Sequence, residues 1–78
     1  MTLTEARKRK GWSQARLASE LGLRSKGHVC DIEREKVAPS LSVAVGLYRH
    51  LGVKVGPLEG LTDREVSVLE KTVAARAA

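Results

Sequence analysis

The sequence predicts an all-α protein, a compact bundle of about five helices. Apolar residues recur at spacings of three and four along five separate stretches, which is the period of an amphipathic helix. Residues that favour helix ends, chiefly serine, threonine and glycine, stand at the boundaries of these stretches. No stretch shows the alternation of apolar and polar residues that is typical of a half-buried strand, so we expect helices alone.

The first two helices have clear start and stop signals. Thr2 followed by Glu5 is a capping box, and Gly11 ends the helix that this box starts. Ser13 is a good N-cap for helix two, and Gly22 is its natural left-handed stop. Three apolar residues form the inward stripe of helix two: Leu17, Ala18 and Leu21.

Helix three is expected over about Ser25–Arg34, with Ser25 as its N-cap. Val29 and Ile32 share one face and should point into the core. The other face then looks outward or sideways, and it carries Lys26, Gly27, Cys30, Asp31 and Arg34.

Helix four should begin after Pro39, with Ser40 as its N-cap, and run to Gly52. Gly46 lies inside this helix, where glycine costs on the order of 1 kcal/mol relative to alanine. We therefore expect another part of the chain to pack closely against Gly46.

Helix five starts with a second capping box, Thr62 and Glu65. Its apolar seam can pack on the body of the protein, on a two-fold partner, or on both, and we favour dimerisation. The seam consists of Val66, Leu69, Val73 and Ala77. The expected division is a first domain over residues 1–55 and a connector with the last helix over residues 56–78.

The charge of the chain, +5 at pH 7, favours an anionic partner: nucleic acid, an acidic protein or an anionic membrane surface. Residues 1–36 carry nine basic and five acidic side chains, whereas residues 57–78 carry three and four. The excess positive charge therefore lies on the first three helices. With two aromatic residues, Trp12 and Tyr48, the chain does not have a row of rings for stacking on single-stranded bases.

Composition also excludes several classes. The single cysteine, Cys30, allows no internal disulfide framework and leaves too few thiols for a zinc finger. His28 and Cys30 are two residues apart, which on a helix separates them by roughly 200°, and His50 stands alone. We expect no catalytic residues, no metal site and no cofactor. No membrane-spanning run or secretory signal is present, so the expected location is the cytoplasm, in association with the nucleoid.

The segment from Ser13 to Glu33 reads as two short helices joined by a tight turn, with basic and small polar residues where the second helix begins. Docking of a helix into the major groove of double-stranded DNA is the leading function for such an arrangement.

These features resemble the Cro/lambda-repressor type of helix-turn-helix, the XRE family, over about residues 3–53. The resemblance implies a lambda-repressor-like fold of four or five helices. It also implies binding to operator DNA as a homodimer on two half-sites, commonly to repress a promoter. The matching residues are Arg7, Gln14, Leu17–Ala18, Leu21–Gly22, Ile32–Glu33, Pro39–Ser40 and Leu51–Gly52.

The chain departs from this pattern twice. Between Gly22 and Val29 it is one residue longer than usual, so either Lys26, Gly27 or His28 could lie deepest in the groove. Glu35 replaces the glycine that often follows the Ile-Glu pair. Helix three must then end without an easy left-handed residue, or run slightly longer.

The resemblance, together with side-chain chemistry, assigns the candidate site residues. Arg7 and Glu33 are expected to form an ion pair between helices one and three. Bases in the major groove would be read by Ser25, Lys26, Gly27, His28 and Asp31. Phosphates would be contacted by Ser13, Gln14, Arg16, Arg24, Arg34, Lys36 and Ser40.

The leading hypothesis is a sequence-specific, dimeric regulator of bacterial or phage type, a repressor with a palindromic operator and no small-molecule ligand. The alternative is an antitoxin-like or other interaction module whose last helix binds a partner protein. A non-specific architectural DNA-binding protein is the third candidate.

Overall fold

The computed structural model describes the backbone of residues 2–77 and the side chains of residues 2–75, and within this range the chain is all-α. This confirms the predicted fold class. The helices are α1 (Leu3–Arg9), α2 (Gln14–Glu20), α3 (Lys26–Glu33), α4 (Leu41–Leu51) and α5 (Asp63–Ala77), with a 3-10 turn (Gly56–Leu58) before α5. No helix of the described residues has the length and apolar character needed to cross a membrane.

The helix starts follow the capping signals with one exception. Four predicted N-cap side chains accept a hydrogen bond from a backbone N–H of the first turn: Thr2, Ser13, Ser40 and Thr62. The prediction for Ser25 is wrong in one respect, because Ser25 occupies the N-cap position of α3 but its side chain makes no capping hydrogen bond. The first turn of α3 is therefore left without a side-chain cap.

The ends of α1, α2 and α3 share one geometry, the Schellman motif. Gly11 and Gly22 take the left-handed conformation after α1 and α2, with φ of 79° and 72°. After α3 the same position is Glu35, with φ of 60°, the one positive φ of a non-glycine residue in the described chain. The Lys36 N–H donates to the Asp31 carbonyl at 2.9 Å, which closes the motif. Helix α3 thus ends at Glu33 and does not run longer. The left-handed conformation of Glu35 costs an L-residue about 1–2 kcal/mol.

Replacing Glu35 with glycine is expected to raise the free energy of unfolding by about 1 kcal/mol, since glycine adopts positive φ freely. For a domain of this size the thermal midpoint would rise by about 4–8 °C. Thermal and urea unfolding would measure the gain. Glu35→Ala is the matched control: it removes the charge but keeps the strain, so a full gain in the alanine variant would contradict the conformational explanation.

The core has two clusters of buried side chains. The first lies mainly among α1, α2 and α3 and includes Leu3, Ala6, Leu17, Ala18, Val29, Ile32, Leu47 and Val53. The second joins α4 to the 3-10 turn and α5, and includes Ala44, Val45, Leu58 and Val66. Gly46 shows the expected close packing, because a Cβ atom built on it would lie 2.7 Å from Leu21 Cδ2.

The seam of α5 packs on the body of the same chain. Val66 has no exposed surface and belongs to the second core cluster, while Leu69 and Val73 are half-buried against that cluster. No surface of Val66 is thus left for a second chain, and a dimer contact through Leu69 and Val73 stays a prediction. Ala77 lies outside the residues whose side chains the structure describes.

Candidate nucleic-acid interface

The orientation of α3 is held by a network centred on the carboxylate of Glu33, the last residue of that helix. Arg7 Nε donates to Glu33 Oε2 at 2.8 Å, and Arg7 Nη2 donates to Oε1 at 3.2 Å. Thr4 Oγ1 donates to Oε1 at 2.8 Å, and Gln14 Nε2 donates to it at 3.4 Å. Arg7 Nη1 also donates to the Trp12 carbonyl at 2.9 Å. Side chains from α1 and α2 thus converge on one residue of α3.

The electrostatics of this network favour the ionised carboxylate. The side chains of Arg7 and Glu33 are 10% and 5% exposed, and such burial by itself would raise the pKa of Glu33. Hydrogen bonds from Arg7, Thr4 and Gln14, together with the charge of Arg7, outweigh burial and hold the pKa of Glu33 below its usual value. Glu33 is therefore an anion at neutral pH.

Gln14, a predicted phosphate contact, lies half-buried at the start of α2 with its amide directed to Glu33. A side-chain amide has two N–H donors and one carbonyl acceptor. One donor is engaged with Glu33, at the long end of hydrogen-bond range, so the second remains for an acceptor outside the protein.

The outer face of α3 is a stripe of residues at three- and four-residue steps: Gly27, Cys30, Asp31 and Arg34. The core residues Val29 and Ile32 lie on the opposite side of the helix. Gly27 and Arg34 are exposed, and Cys30 and Asp31 are half-buried. Cys30 was absent from the base-reading set predicted from sequence, although its helical spacing from Gly27 places it on the same stripe.

The first turn of α3 is open to solvent. Lys26, Gly27 and His28 are all exposed, as is Ser25 before them. A Cβ atom built on Gly27 would have, among described atoms within 4 Å, one neighbour: Ser25 Oγ at 3.5 Å. Another molecule could therefore come close to the backbone here.

Four of the predicted DNA-contacting cations, Arg24, Lys26, Arg34 and Lys36, are exposed. In the described part of the chain none of the four lies within 4.0 Å of a carboxylate. Their positive charges are thus uncompensated by ion pairs around α3, as a surface for phosphates requires.

Arg16 differs from these four cations. Its Nε donates to Glu20 Oε2 at 2.9 Å, and its guanidinium lies 4.7 Å from the centroid of the Trp12 ring. Binding a phosphate would require Arg16 to share or exchange these partners. Exposed ion pairs of this kind contribute little to stability, so the exchange costs little.

Two of the predicted phosphate contacts are hydroxyls at helix starts. Ser13 Oγ accepts from the Arg16 N–H at 3.0 Å, and Ser40 Oγ accepts from the Val43 N–H at 3.3 Å. Capping uses the oxygen as an acceptor and leaves the hydroxyl hydrogen free to donate. Each of the two exposed serines can therefore cap its helix and donate to an anion at the same time.

The described residues contain no group of three or more histidine, cysteine, aspartate or glutamate side chains placed to hold a metal ion. Arg7 and Glu33 lie together as the sequence predicted, and the base and phosphate candidates stay predictions.

A family model described as helix-turn-helix matches residues 3–58, which include α1 to α4 and the 3-10 turn. No curated protein and no solved structure matches the chain.

Proposed function

Because the chain belongs to the XRE-like helix-turn-helix family of DNA-binding regulators, we propose that it is a sequence-specific, dimeric repressor that inserts α3 into the major groove. The DNA binding follows from the family membership. The palindromic operator, the dimer and the repression of a promoter are what we propose. The observation that carries it furthest is the contrast between the two faces of α3. One face of α3 is anchored to the protein by Val29, Ile32 and Glu33. The other face is accessible to solvent and is flanked by exposed cations that form no ion pair among the described residues.

Base reading is assigned to the first turn and outer stripe of α3. Lys26 can donate to the O6 and N7 atoms of guanine, and Asp31 can accept from the N4 amino group of cytosine. Ser25 and His28 supply further polar groups at the same end of the helix. Gly27 has no side chain, so we propose that the backbone comes closest to the bases there.

Phosphate contacts fix the position of α3 in the groove but carry no sequence information. We assign them to groups on both sides of α3, including the exposed cations Arg24, Arg34 and Lys36, which have no carboxylate within 4.0 Å among the described residues. The N-cap hydroxyls of α2 and α4 and the free amide donor of Gln14 are the neutral donors of this set. Together these groups would fix the register on the duplex.

Dimerisation is proposed from the geometry of DNA recognition. One eight-residue helix reaches few base pairs, and helix-turn-helix proteins commonly gain affinity as dimers on two half-sites one helical turn apart. The operator would then be palindromic. The alternative is a last helix whose apolar seam binds a different protein. Val66 is fully buried within its own chain, which counts equally against a second copy and against a different protein at that residue.

The test compares two lysines with different assigned roles. Lys26→Ala is expected to lose preference at particular base pairs, at about 1–3 kcal/mol for each lost bidentate contact. Lys36→Ala should weaken binding to all sequences alike and reduce the salt dependence of affinity. The operator is first selected from random duplexes with the wild-type protein, and affinities for it and its single-base variants are then measured for both variants.

Lys36→Ala serves as the matched control, since both residues are exposed lysines, Lys26 in the first turn of α3 and Lys36 just after its end. Equal weakening on all duplexes by Lys26→Ala would show that Lys26 does not read bases. A selected site without two-fold symmetry, bound by one chain, would overturn the dimer.

A further inference from the structure

A second basic site lies apart from α3. A cleft of about 770 Å³ opens between the C-terminal half of α1, the end of α4 and the start of α5. Its walls carry Arg9, Lys10 and Lys54, together with Tyr48 and Asp63. The lining includes no residue of α2 or α3, so none of the residues assigned to DNA contributes to it.

The cleft has an excess of positive charge. Three cations face one carboxylate, and that carboxylate is already engaged. Asp63 Oδ1 accepts from Tyr48 Oη at 2.9 Å and lies 3.0 Å from Lys54 Nζ. Two positive charges, those of Arg9 and Lys10, have no carboxylate within 4.0 Å among the described residues.

One of the ammonium groups is held in place by the protein. Lys10 Nζ donates to the His50 carbonyl at 2.6 Å and lies 4.4 Å from the centroid of the Trp12 ring. Lys54 makes an exposed ion pair with Asp63, which contributes little by itself. An ammonium has three donors, so each lysine keeps two for another acceptor. A positioned donor such as Lys10 loses less conformational entropy on binding than a free lysine side chain does.

The floor of the cleft is apolar. Ala6 and Val53 are buried at its base, and Leu51 and the Tyr48 ring are half-buried beside them. Cationic walls over an apolar floor suit a ligand with a charged end and an uncharged part.

We propose that this cleft binds a small phosphorylated molecule, with its phosphoryl oxygens on Arg9, Lys10 and Lys54 and its uncharged part on Leu51 and Val53. A phosphate monoester carries about two negative charges and three acceptor oxygens at neutral pH, so it can accept from more of these donors than a single carboxylate can. The fork of donors on Arg9 matches phosphate oxygens, and the lysines add point charges. The ligand would make this protein a regulator with an effector site outside its DNA interface.

The experiment is an NMR titration of the full chain with inorganic phosphate, and separately with AMP, a phosphate monoester with an uncharged part, at constant ionic strength. Saturable shifts of the backbone amides at Arg9, Lys10 and Lys54 are expected. Arg9→Met should weaken binding roughly tenfold, the effect of losing one charged hydrogen-bonding partner. Lys8→Met is the matched control, because Lys8 is an exposed neighbour on α1 that does not line the cleft, and its affinity should equal that of wild type.

A second arm uses a short DNA duplex without an operator. Shifts at the cleft with DNA but not with inorganic phosphate or AMP would assign the cleft to a DNA backbone and overturn the proposal. So would shifts confined to α3, or equal affinities for Arg9→Met, Lys8→Met and wild type. Because Arg9 is exposed, its substitution should leave the fold intact, and thermal unfolding of the variant checks this.

Discussion

Replacing Arg7 with alanine is expected to lower the free energy of unfolding by about 3–5 kcal/mol, because it leaves a buried carboxylate without its cation. Arg7 donates two hydrogen bonds to Glu33 and one to the Trp12 carbonyl, and all three would be lost. The stability of a small domain is about 5–15 kcal/mol, so this change removes a large part of it. The thermal midpoint would fall by roughly 12–40 °C.

Lys8→Ala is the control for this substitution, since Lys8 is the next residue of α1 and its side chain is exposed. It should change stability by less than about 0.5 kcal/mol. Urea unfolding of the two variants beside wild type gives the comparison. If both variants lost the same small amount, the ion pair would contribute no more than an ordinary surface contact.

The Arg7–Glu33 pair also makes the stability of the folded protein depend on pH. The pKa of Glu33 is lower in the folded protein than its ordinary value of 4.5, so the unfolded chain binds a proton more readily. Stability from this group is complete above that ordinary value and is lost as the pH falls through the lower, folded pKa. Comparison of wild type with Glu33→Gln over this acid range isolates the contribution, because glutamine does not titrate.

Replacing Leu58 with alanine is expected to cost about 2–5 kcal/mol, the range for a leucine removed from a tightly packed core. Leu58 has no exposed surface and contacts α4 and α5 through the second core cluster. The 3-10 turn and α5 would therefore be integral to the fold and not an appended tail. Chemical denaturation monitored by circular dichroism and by Trp12 fluorescence should give one common transition.

Val68→Ala is the matched control for this second cluster. Val68 lies on α5 two residues after the buried Val66, but its side chain is 60% exposed, so its truncation should cost less than about 0.5 kcal/mol. A small loss for Leu58→Ala, or a separate transition for residues beyond 55, would instead support the division at residue 55 expected from sequence.

Much of the fold was predictable because its signals are local. Thr2 with Glu5, Ser13 and Ser40 act within one helical turn, so their capping roles follow from neighbouring residues. Gly22 is equally local, because positive φ is a property of a single residue. The Arg7–Glu33 pair is distant in sequence and was placed through family resemblance.

Features that depend on three-dimensional packing were harder to predict from the sequence. Ser25 occupies an N-cap position without capping, and its residue type does not reveal this. The helical seam of α5 predicted a buried face correctly, but periodicity does not say whether the same chain or a partner covers it. The cleft beside Arg9 joins residues from α1, α4 and α5, and no spacing within one segment signals it.

The Glu33 network has a consequence for how this scaffold can change its target. The placement of α3 depends on its inner face and its last residue, whereas Lys26, Gly27 and Arg34 bear no packing of the core. The residues that hold α3 in place are thus different from the residues proposed to read bases. Under that proposal, exchanging the outer residues would change the DNA sequence that is bound while leaving the stability and placement of the helix unchanged.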